Sequence, residues 1–465
     1  MSKGKALIRN TAIYTFGTFG SKVLIFLLVP LFSFYLTAIE MGQYDMILIS
    51  VSLAVPLITL QISDAAYRWI IDCKESEIRL RQVVTSGFVL VSGFLILVWL
   101  LALVISLYWE IPYLWYFVSM VSATAYFTYF QQVIRGMGFT KFFALFGILQ
   151  SFLILGLSLF FLLVLDKGLE GILIANILAV LLTSAIQFFW KIITKIRFSM
   201  FSRPVLISLL KYSLPLIPNS ISWWLINIVN RYVILIFLSI YYNGIYAISA
   251  RFPAILIMIN SVFILAWQDQ FIQEKKTDSE FSIKVFDRYV KFEFGLVLIL
   301  ISISELLAKY AVDDTFYEAR RYMPFLFLAT AVSAFAAYFG AFYLKRKETK
   351  DLFLSTLLGG IVNLAFSFGM ISFIGLYAPA IGTLIGFLTV LLYRVRQTKD
   401  VVAINITPFL TLFLASIVMI ALKLIENTVI DFFLIITSLT SFFLMNKKTF
   451  KTIYTSLFNE IRINR

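Results

Sequence analysis

The chain has 465 residues, 61% of them hydrophobic and 14% charged, with a mean hydropathy of +0.93. That balance excludes a soluble globular domain and implies a polytopic membrane protein. With no histidine and one cysteine, Cys73, it also excludes His-based catalysis, His metal sites, an internal disulfide and a zinc cluster.

Nearly continuous apolar segments with short connections indicate helices, since a β-barrel would alternate apolar and polar residues. The expected fold class is therefore all-α. Lys3, Lys5 and Arg9 precede an apolar segment too long for a cleaved signal peptide, so none is expected. Fourteen spans are expected at about 11–36, 45–71, 82–106, 112–134, 142–165, 169–190, 213–238, 244–272, 289–311, 322–344, 352–374, 376–393, 401–422 and 428–446. Gly375 and its neighbours make the turn between the eleventh and twelfth.

The net charge of +14 sorts by side. Thirty of the 39 Lys and Arg fall on the side of the N-terminus, and five (Lys167, Lys309, Arg320, Arg321 and Lys423) fall opposite. Lys22, Arg68, Arg231 and Arg251 lie within spans. Such a bias places both termini in the cytoplasm, so no nucleic-acid partner is needed to explain the charge.

The chain repeats itself. Leu7-Ile8-Arg9-Asn10-Thr11 matches Leu209-Leu210-Lys211-Tyr212-Ser213, and Leu36, Gly42 and Tyr44 meet Leu238, Gly244 and Tyr246 at the same offset. The offset superposes the first span on the seventh and the second on the eighth. This predicts two six-helix lobes, 1–190 and 213–396, related by a pseudo-two-fold along the membrane normal with a central cavity. A basic amphipathic linker, 191–212, is expected on the cytoplasmic surface, spans 13 and 14 occupy 397–446, and an amphipathic cytoplasmic tail fills 447–465.

Polar residues inside spans mark the candidate site. In span 1, Thr11, Thr15, Thr18 and Lys22 form a stripe ending in a lysine near the bilayer centre, where a cation costs roughly 2.5–3.5 kcal/mol and normally lines a cavity. Span 2 carries Gln61, Asp64 and Arg68; Asp64 and Arg68 can pair with each other, so packing is as open to them as function. Span 7 carries Asn219, Trp223, Asn227 and Asn230 at i, i+4, i+8 and i+11, one helical face, followed by Arg231. Helix-to-helix hydrogen bonding is as open to the three Asn as a cavity, whereas Arg231 needs more solvation than a packing contact supplies. Span 8 carries Arg251 about two turns from its outer end and closes with Gln268 and Asp269 where solvation is easy. Glu293 stands beside Lys291 at the start of span 9 and reads as interfacial, whereas Glu305 lies deeper, as a proton or cation site or as an arginine's partner.

The cations Arg68, Lys22, Arg231 and Arg251 thus form a ladder by depth that attracts anions, and guanidinium groups suit phosphate oxygens. Trp223 and Trp224 beside the Asn face suit stacking on sugars. Pro30, Pro56, Pro215, Pro218 and Pro253 concentrate in spans 1, 2, 7 and 8, where each removes a backbone hydrogen bond and permits bending.

Ser21-Lys22-Val23-Leu24, Gly42-Gln43-Tyr44, Tyr212-Ser213-Leu214-Pro215, Asn230-Arg231-Tyr232 and Gly244-Ile245-Tyr246, with the duplication, resemble the bacterial polysaccharide flippases. These are the Wzx-type O-antigen and capsule repeat-unit exporters of the multidrug/oligosaccharidyl-lipid/polysaccharide exporter superfamily. The similarity covers the first twelve spans. In this superfamily a serine-plus-basic pair in span 1 is a recurrent cavity feature; Ser21-Lys22 occupies it, with Lys for the more usual Arg. Spans 13 and 14 resemble the extra helices of the lipid II flippases.

The resemblance implies a transporter, not an enzyme, that moves undecaprenyl-diphosphate-linked oligosaccharide across the cytoplasmic membrane by alternating access. The head group would be held by Lys22, Arg231, Arg251 and Arg68, with Asn219, Asn227, Asn230 and Trp223 on the sugar or phosphate. No cofactor is implied beyond Na+ or H+ coupling, for which Glu305 and Asp64 are candidates. Partners would be the bilayer, the lipid-linked glycan, and a polysaccharide polymerase with its chain-length machinery. The rivals are a lipid II flippase, a multidrug extruder and, from another class, a membrane glycan polymerase or transferase.

Overall fold

A computed structural model describes residues 3–73, 76–273, 279–346, 349–399 and 407–463. The side chains of Thr11, Thr15, Thr18 and Asp269, and those of the tail from 448 onward, lie outside the described set. Among the described residues there is no strand. The chain is an all-α polytopic membrane protein, and helix occupies every one of the fourteen expected spans.

The first span is α1 (Lys3–Tyr35), and the second is broken into α2 (Ala38–Ile58) and α3 (Ile62–Asp72). Then come α4 (Glu77–Tyr108), α5 (Leu114–Gly136), α6 (Thr140–Leu159) and α7 (Gly168–Gln187), the last two each prolonged by a π-helical turn. The seventh span runs from α8 (Arg203–Ser213) through a 3-10 turn (Leu214–Leu216) into α9 (Ile217–Asn227) and α10 (Asn230–Phe237). The eighth is α11 (Ile240–Ser249) and α12 (Ala254–Gln273), and the ninth is α13 (Ser279–Ser302) and α14 (Ser304–Ala311). The chain closes with α15 (Met323–Arg346), α16 (Thr349–Ile374), α17 (Tyr377–Thr398), α18 (Thr407–Lys423) and α19 (Thr428–Ile463).

Among the described residues nine helices are long and apolar enough to cross a membrane, or ten when the pair bent by 48° at residues 250–253 counts as one span. Others fall short for local reasons. The N-terminal half of α13 carries Glu280, Lys284, Asp287, Arg288 and Lys291, and α18 is only 17 residues long.

Helix boundaries follow capping chemistry. At α2 the Glu40 amide donates to Thr37 Oγ1 at 3.3 Å while the Thr37 amide donates to Glu40 Oε2 at 2.9 Å, a reciprocal box. Asn427 Oδ1 accepts the Val429 amide at 2.9 Å to open α19. Gly375, at φ +56°, makes the expected turn between α16 and α17. Those two helices touch backbone to backbone: a Cβ on Gly359 or Gly386 would come 2.7 Å from the other's carbonyl oxygen.

Two compact units result, Met1–Trp224 and Leu225–Arg465. In the first, the segment after α7 is tied to the start of α4. The Arg197 amide donates to Thr85 Oγ1 at 3.1 Å, the Ser202 amide to Ser86 Oγ at 3.1 Å, and Lys195 Nζ lies 2.8 Å from Glu77 Oε1. Hydrogen bonds from Lys195 and then Arg81 hold the Glu77 carboxyl below its ordinary range. α8 starts ten residues before the expected seventh span because Pro204 suits a first helical turn, where its missing N–H leaves nothing unsatisfied.

Candidate functional site

Lys22 stands on α1, which packs along α6. The helices approach closely at Gly20, whose Cβ would lie 3.7 Å from Ile148, and at Gly147, whose Cβ would lie 3.4 Å from Ser21 Oγ. Ser21 is therefore on the helix contact, and Lys22, one residue on, is partly exposed. Among the described residues none forms an ion pair with Lys22.

The second span breaks after Pro56. Leu60 and Gln61 adopt left-handed φ of 51° and 56°, and the Gln61 amide reaches back to Pro56 O at 3.1 Å. Non-glycine residues rarely adopt that conformation, so surrounding structure must hold the kink. Gln61 Nε2 donates to Ser220 Oγ, one such hold. Beside it lies a cleft of about 620 Å³ walled by Ser52, Pro56, Ser220, Trp223 and Trp224. Trp223 thus lines an aromatic cleft within the first unit.

Asp64 and Arg68 do not pair. Arg68 Nη1 binds Asp72 Oδ1 at 2.5 Å with both side chains well exposed. Asp64 Oδ1 accepts Gln132 Nε2 at 3.3 Å and lies within electrostatic reach of Arg135. The guanidinium of Arg135 also sits 4.5 Å over the Tyr67 ring. Asp64 and Asp72 each stand one turn from Arg68 on α3; Arg68 takes Asp72, and Asp64 is met instead by Gln132 of α5.

The four residues Asn219, Trp223, Asn227 and Asn230 do not form one stripe. Asn219, Trp223 and Asn227 are exposed, whereas Asn230 is fully buried. The helix is interrupted at residues 228–229, which resets the face of α10. Asn230 Nδ2 donates to Pro379 O at 2.9 Å and Thr383 Oγ1 at 2.8 Å, joining α10 to α17. Asn363 Nδ2 donates to Ile226 O at 3.0 Å and Ser367 Oγ to Asn363 Oδ1 at 3.2 Å, which completes a polar knot with α16.

Arg231 Nη1 donates to Asn227 O at 3.4 Å, one of the carbonyls freed where α9 ends, and its guanidinium lies 4.8 Å from the Tyr246 ring centre. Its solvation therefore comes partly from the protein. Arg251 is partly exposed in the break between α11 and α12, ahead of Pro253.

Glu305 sits in an ion cluster. Tyr317 OH donates to Glu305 Oε1 at 2.9 Å, and Lys423 Nζ lies 3.5 Å from Glu305 Oε2 and 2.6 Å from Asp431 Oδ1. Next to it Glu426 Oε1 meets Arg321 Nη2 at 2.8 Å and Arg320 Nη2 at 3.1 Å. The Arg321 hydrogen bond, aided by Arg320, holds the Glu426 carboxyl below its ordinary range. The cluster clamps the α18–α19 hairpin onto α14 and lines a cavity of about 360 Å³.

Glu293, expected where solvation is easy, is instead enclosed by neighbouring helices: α13 begins at Ser279, ten residues before the expected ninth span, and Glu293 is 0% exposed. Sequence reading also passed over Arg394. It is buried on α17 and donates to Ser355 Oγ at 3.0 Å, Ala336 O at 2.7 Å and Thr356 Oγ1 at 3.1 Å, tying α15, α16 and α17. Its position just past an apolar run disguised it as a flanking charge.

These arrangements can be compared with known proteins. The model of a family described as polysaccharide biosynthesis protein matches residues 7–268. No curated protein sequence matches the chain. Among solved structures, the lipid II flippase MurJ in an inward closed conformation aligns with a TM-score of 0.70 at 13% identity, covering 95% of this chain and all of that one. An inward-facing multidrug resistance MATE family transporter of the MOP superfamily aligns at 0.57 and 16% identity, covering 83% of this chain and 95% of its own. A Vibrio cholerae MATE transporter aligns at 0.57 and 15% identity, with 85% and 97% covered. The fold is that of these transporters.

Proposed function

Because the chain belongs to the polysaccharide biosynthesis protein family, we propose that it is a flippase for undecaprenyl-diphosphate-linked oligosaccharide repeat units. It works in the bacterial cytoplasmic membrane with both termini inside, and supplies O-antigen, capsule or exopolysaccharide synthesis. The observation that carries this reading is Lys22, a partly exposed cation midway along a membrane helix that no described carboxylate neutralises. A diphosphate head group provides the missing charge.

Alternating access of the halves 1–190 and 213–396, joined by the linker 191–212, carries the head across while the lipid tail stays in the bilayer. Lys22 holds the diphosphate, assisted by Arg231 and Arg251. Asn219, Asn227 and Trp223, all exposed, meet the saccharide, and Trp223 walls an aromatic cleft suited to a sugar face. Asn230 and Arg68 contribute less in this scheme, since one is committed to α17 and the other to Asp72. Delivery to a polymerase and its chain-length machinery follows on the outer side.

Lys22→Ala combined with Arg231→Ala is expected to abolish surface glycan at unchanged protein abundance. Unaltered export in that double variant would sink the proposal. A second reading, a lipid II flippase, is favoured by the alignment with MurJ along its whole length. Rescue of cells depleted of their lipid II flippase, set against rescue of cells lacking a repeat-unit flippase, separates the two.

A further inference from the structure

The second unit holds a carboxylic acid with no counter-charge among the described residues. Glu293 on α13 is fully buried; its Oε1 accepts Asn260 Nδ2 at 2.8 Å, and its Oε2 has no hydrogen-bond partner among the described residues. Asn260 Oδ1 in turn accepts Tyr289 OH at 2.6 Å. The amide is oriented by that hydroxyl, so its N–H faces the acid.

Among the described residues the surroundings supply no cation. On its own helix, Lys291 is held by Asp287 at 2.6 Å. From α12 come Asn260 and Phe263, the latter stacked on Tyr289 at 3.9 Å. From α15 comes Tyr338, whose hydroxyl donates to Ser282 O. α18 brings Phe409 against Phe294, the next residue, and α19 brings Phe442 and Asn446, whose amide donates to Phe442 O and Lys291 O. Tyr289 is the titratable group in electrostatic reach.

An isolated buried carboxylate costs several kcal/mol even after relaxation, whereas its neutral acid leaves one hydrogen bond unmade. A metal ion fits poorly. Hard cations take six or more oxygen ligands, and Asn260 Oδ1 is committed to Tyr289. Among the described residues there is no cluster of three metal-ligating side chains.

We propose that Glu293, with Asn260 and Tyr289, is a proton-binding site: the acid keeps its proton while α12 lies against α13 and gives it to water when that contact opens. The fold contains a hinge for this motion. α12 begins at the 48° bend of residues 250–253, and Asn260 sits about two turns beyond it. Swinging α12 about the bend withdraws the one hydrogen bond to the acid and admits solvent. The coupling to transport rests on the flippase reading; the proton site does not.

The test is infrared spectroscopy of the purified full-length protein in lipid, at neutral pH, in water and in D2O. A protonated-carboxyl band that shifts in D2O is expected, lost in Glu293→Gln and kept in Glu305→Gln. Its absence from the parent, or its persistence in Glu293→Gln, overturns the site. Should Glu293→Gln not accumulate, Asn260→Ala is expected to shift the band, and an unmoved band overturns the proposal. In proteoliposomes, Glu293→Gln is expected to lose the response of flipping to an imposed pH gradient, and an unchanged response overturns the coupling. A parent that shows the band but flips no lipid-linked saccharide defeats the flippase reading and supports the proton site alone.

Discussion

Glu293 and Glu305 stand on consecutive helices of one expected span, and their surroundings are opposite. Glu305 is met by Tyr317, Lys423 and, within electrostatic reach, Arg320, with Asp431 sharing the lysine. Glu293 is met by a single amide and aromatic rings. The lesson is that membrane-embedded acids divide by what distant segments bring to them. Lys423 and Asp431 arrive from the last two spans, so Glu305 is a structural anchor for that hairpin. Among the described residues nothing cationic arrives at Glu293, so its charge varies with hydration.

Removing the cation from the first site makes it resemble the second. Lys423→Met leaves Glu305 and Asp431 without their shared ammonium and is expected to cost about 3 kcal/mol, read as a lower unfolding midpoint in detergent. A midpoint unchanged from the parent would show that the cluster is not an anchor. Asn230→Leu, in the same unit, removes the amide donor to Thr383 Oγ1 and leaves Pro379 O with the Thr383 hydroxyl, and is expected to cost about 1 kcal/mol on the same midpoint. Glu293→Gln exchanges one neutral hydrogen-bonding group for another and is expected to change stability by less than about 1 kcal/mol. A much larger loss there would mean that the acid is ionised and paired, which erases the contrast.

The smallest effects belong to exposed pairs. Arg68→Ala removes an ion pair whose side chains are about half exposed and is expected to leave the unfolding midpoint where it is in the parent. Glu77 is likewise exposed, and its carboxyl is depressed below the ordinary 4.5 in the folded state. Its contribution is therefore complete above that value and fades as the pH falls below it. Amide exchange at Arg197, which Thr85 protects, is expected to quicken only in that acid range. Quickening near neutral pH would assign the tether to another group.

The chain alone determined the class and the span inventory, because hydropathy and the distribution of Lys and Arg are local quantities that a bilayer reads segment by segment. Turns were legible for the same reason: Gly375 takes the left-handed conformation a glycine permits. Ser21-Lys22 was visible as a candidate because a cation in an apolar helix needs no tertiary knowledge to stand out.

What only the tertiary structure decided is which polar groups are already satisfied. Helical periodicity put Asn230 with Asn227, but the interruption at residues 228–229 ends one helix and starts another with a new face. Asp64 stands one turn from Arg68 on α3 as the spacing implies, yet Gln132 of α5 meets Asp64, and Arg68 takes Asp72 one turn further on. Arg394 and Glu293 resembled flanking charges because neither Ser355, Thr356 and Ala336 nor Asn260 is near them in sequence. A hydrogen bond across helices depends on which faces meet. That is a property of packing, and periodicity within one segment does not contain it.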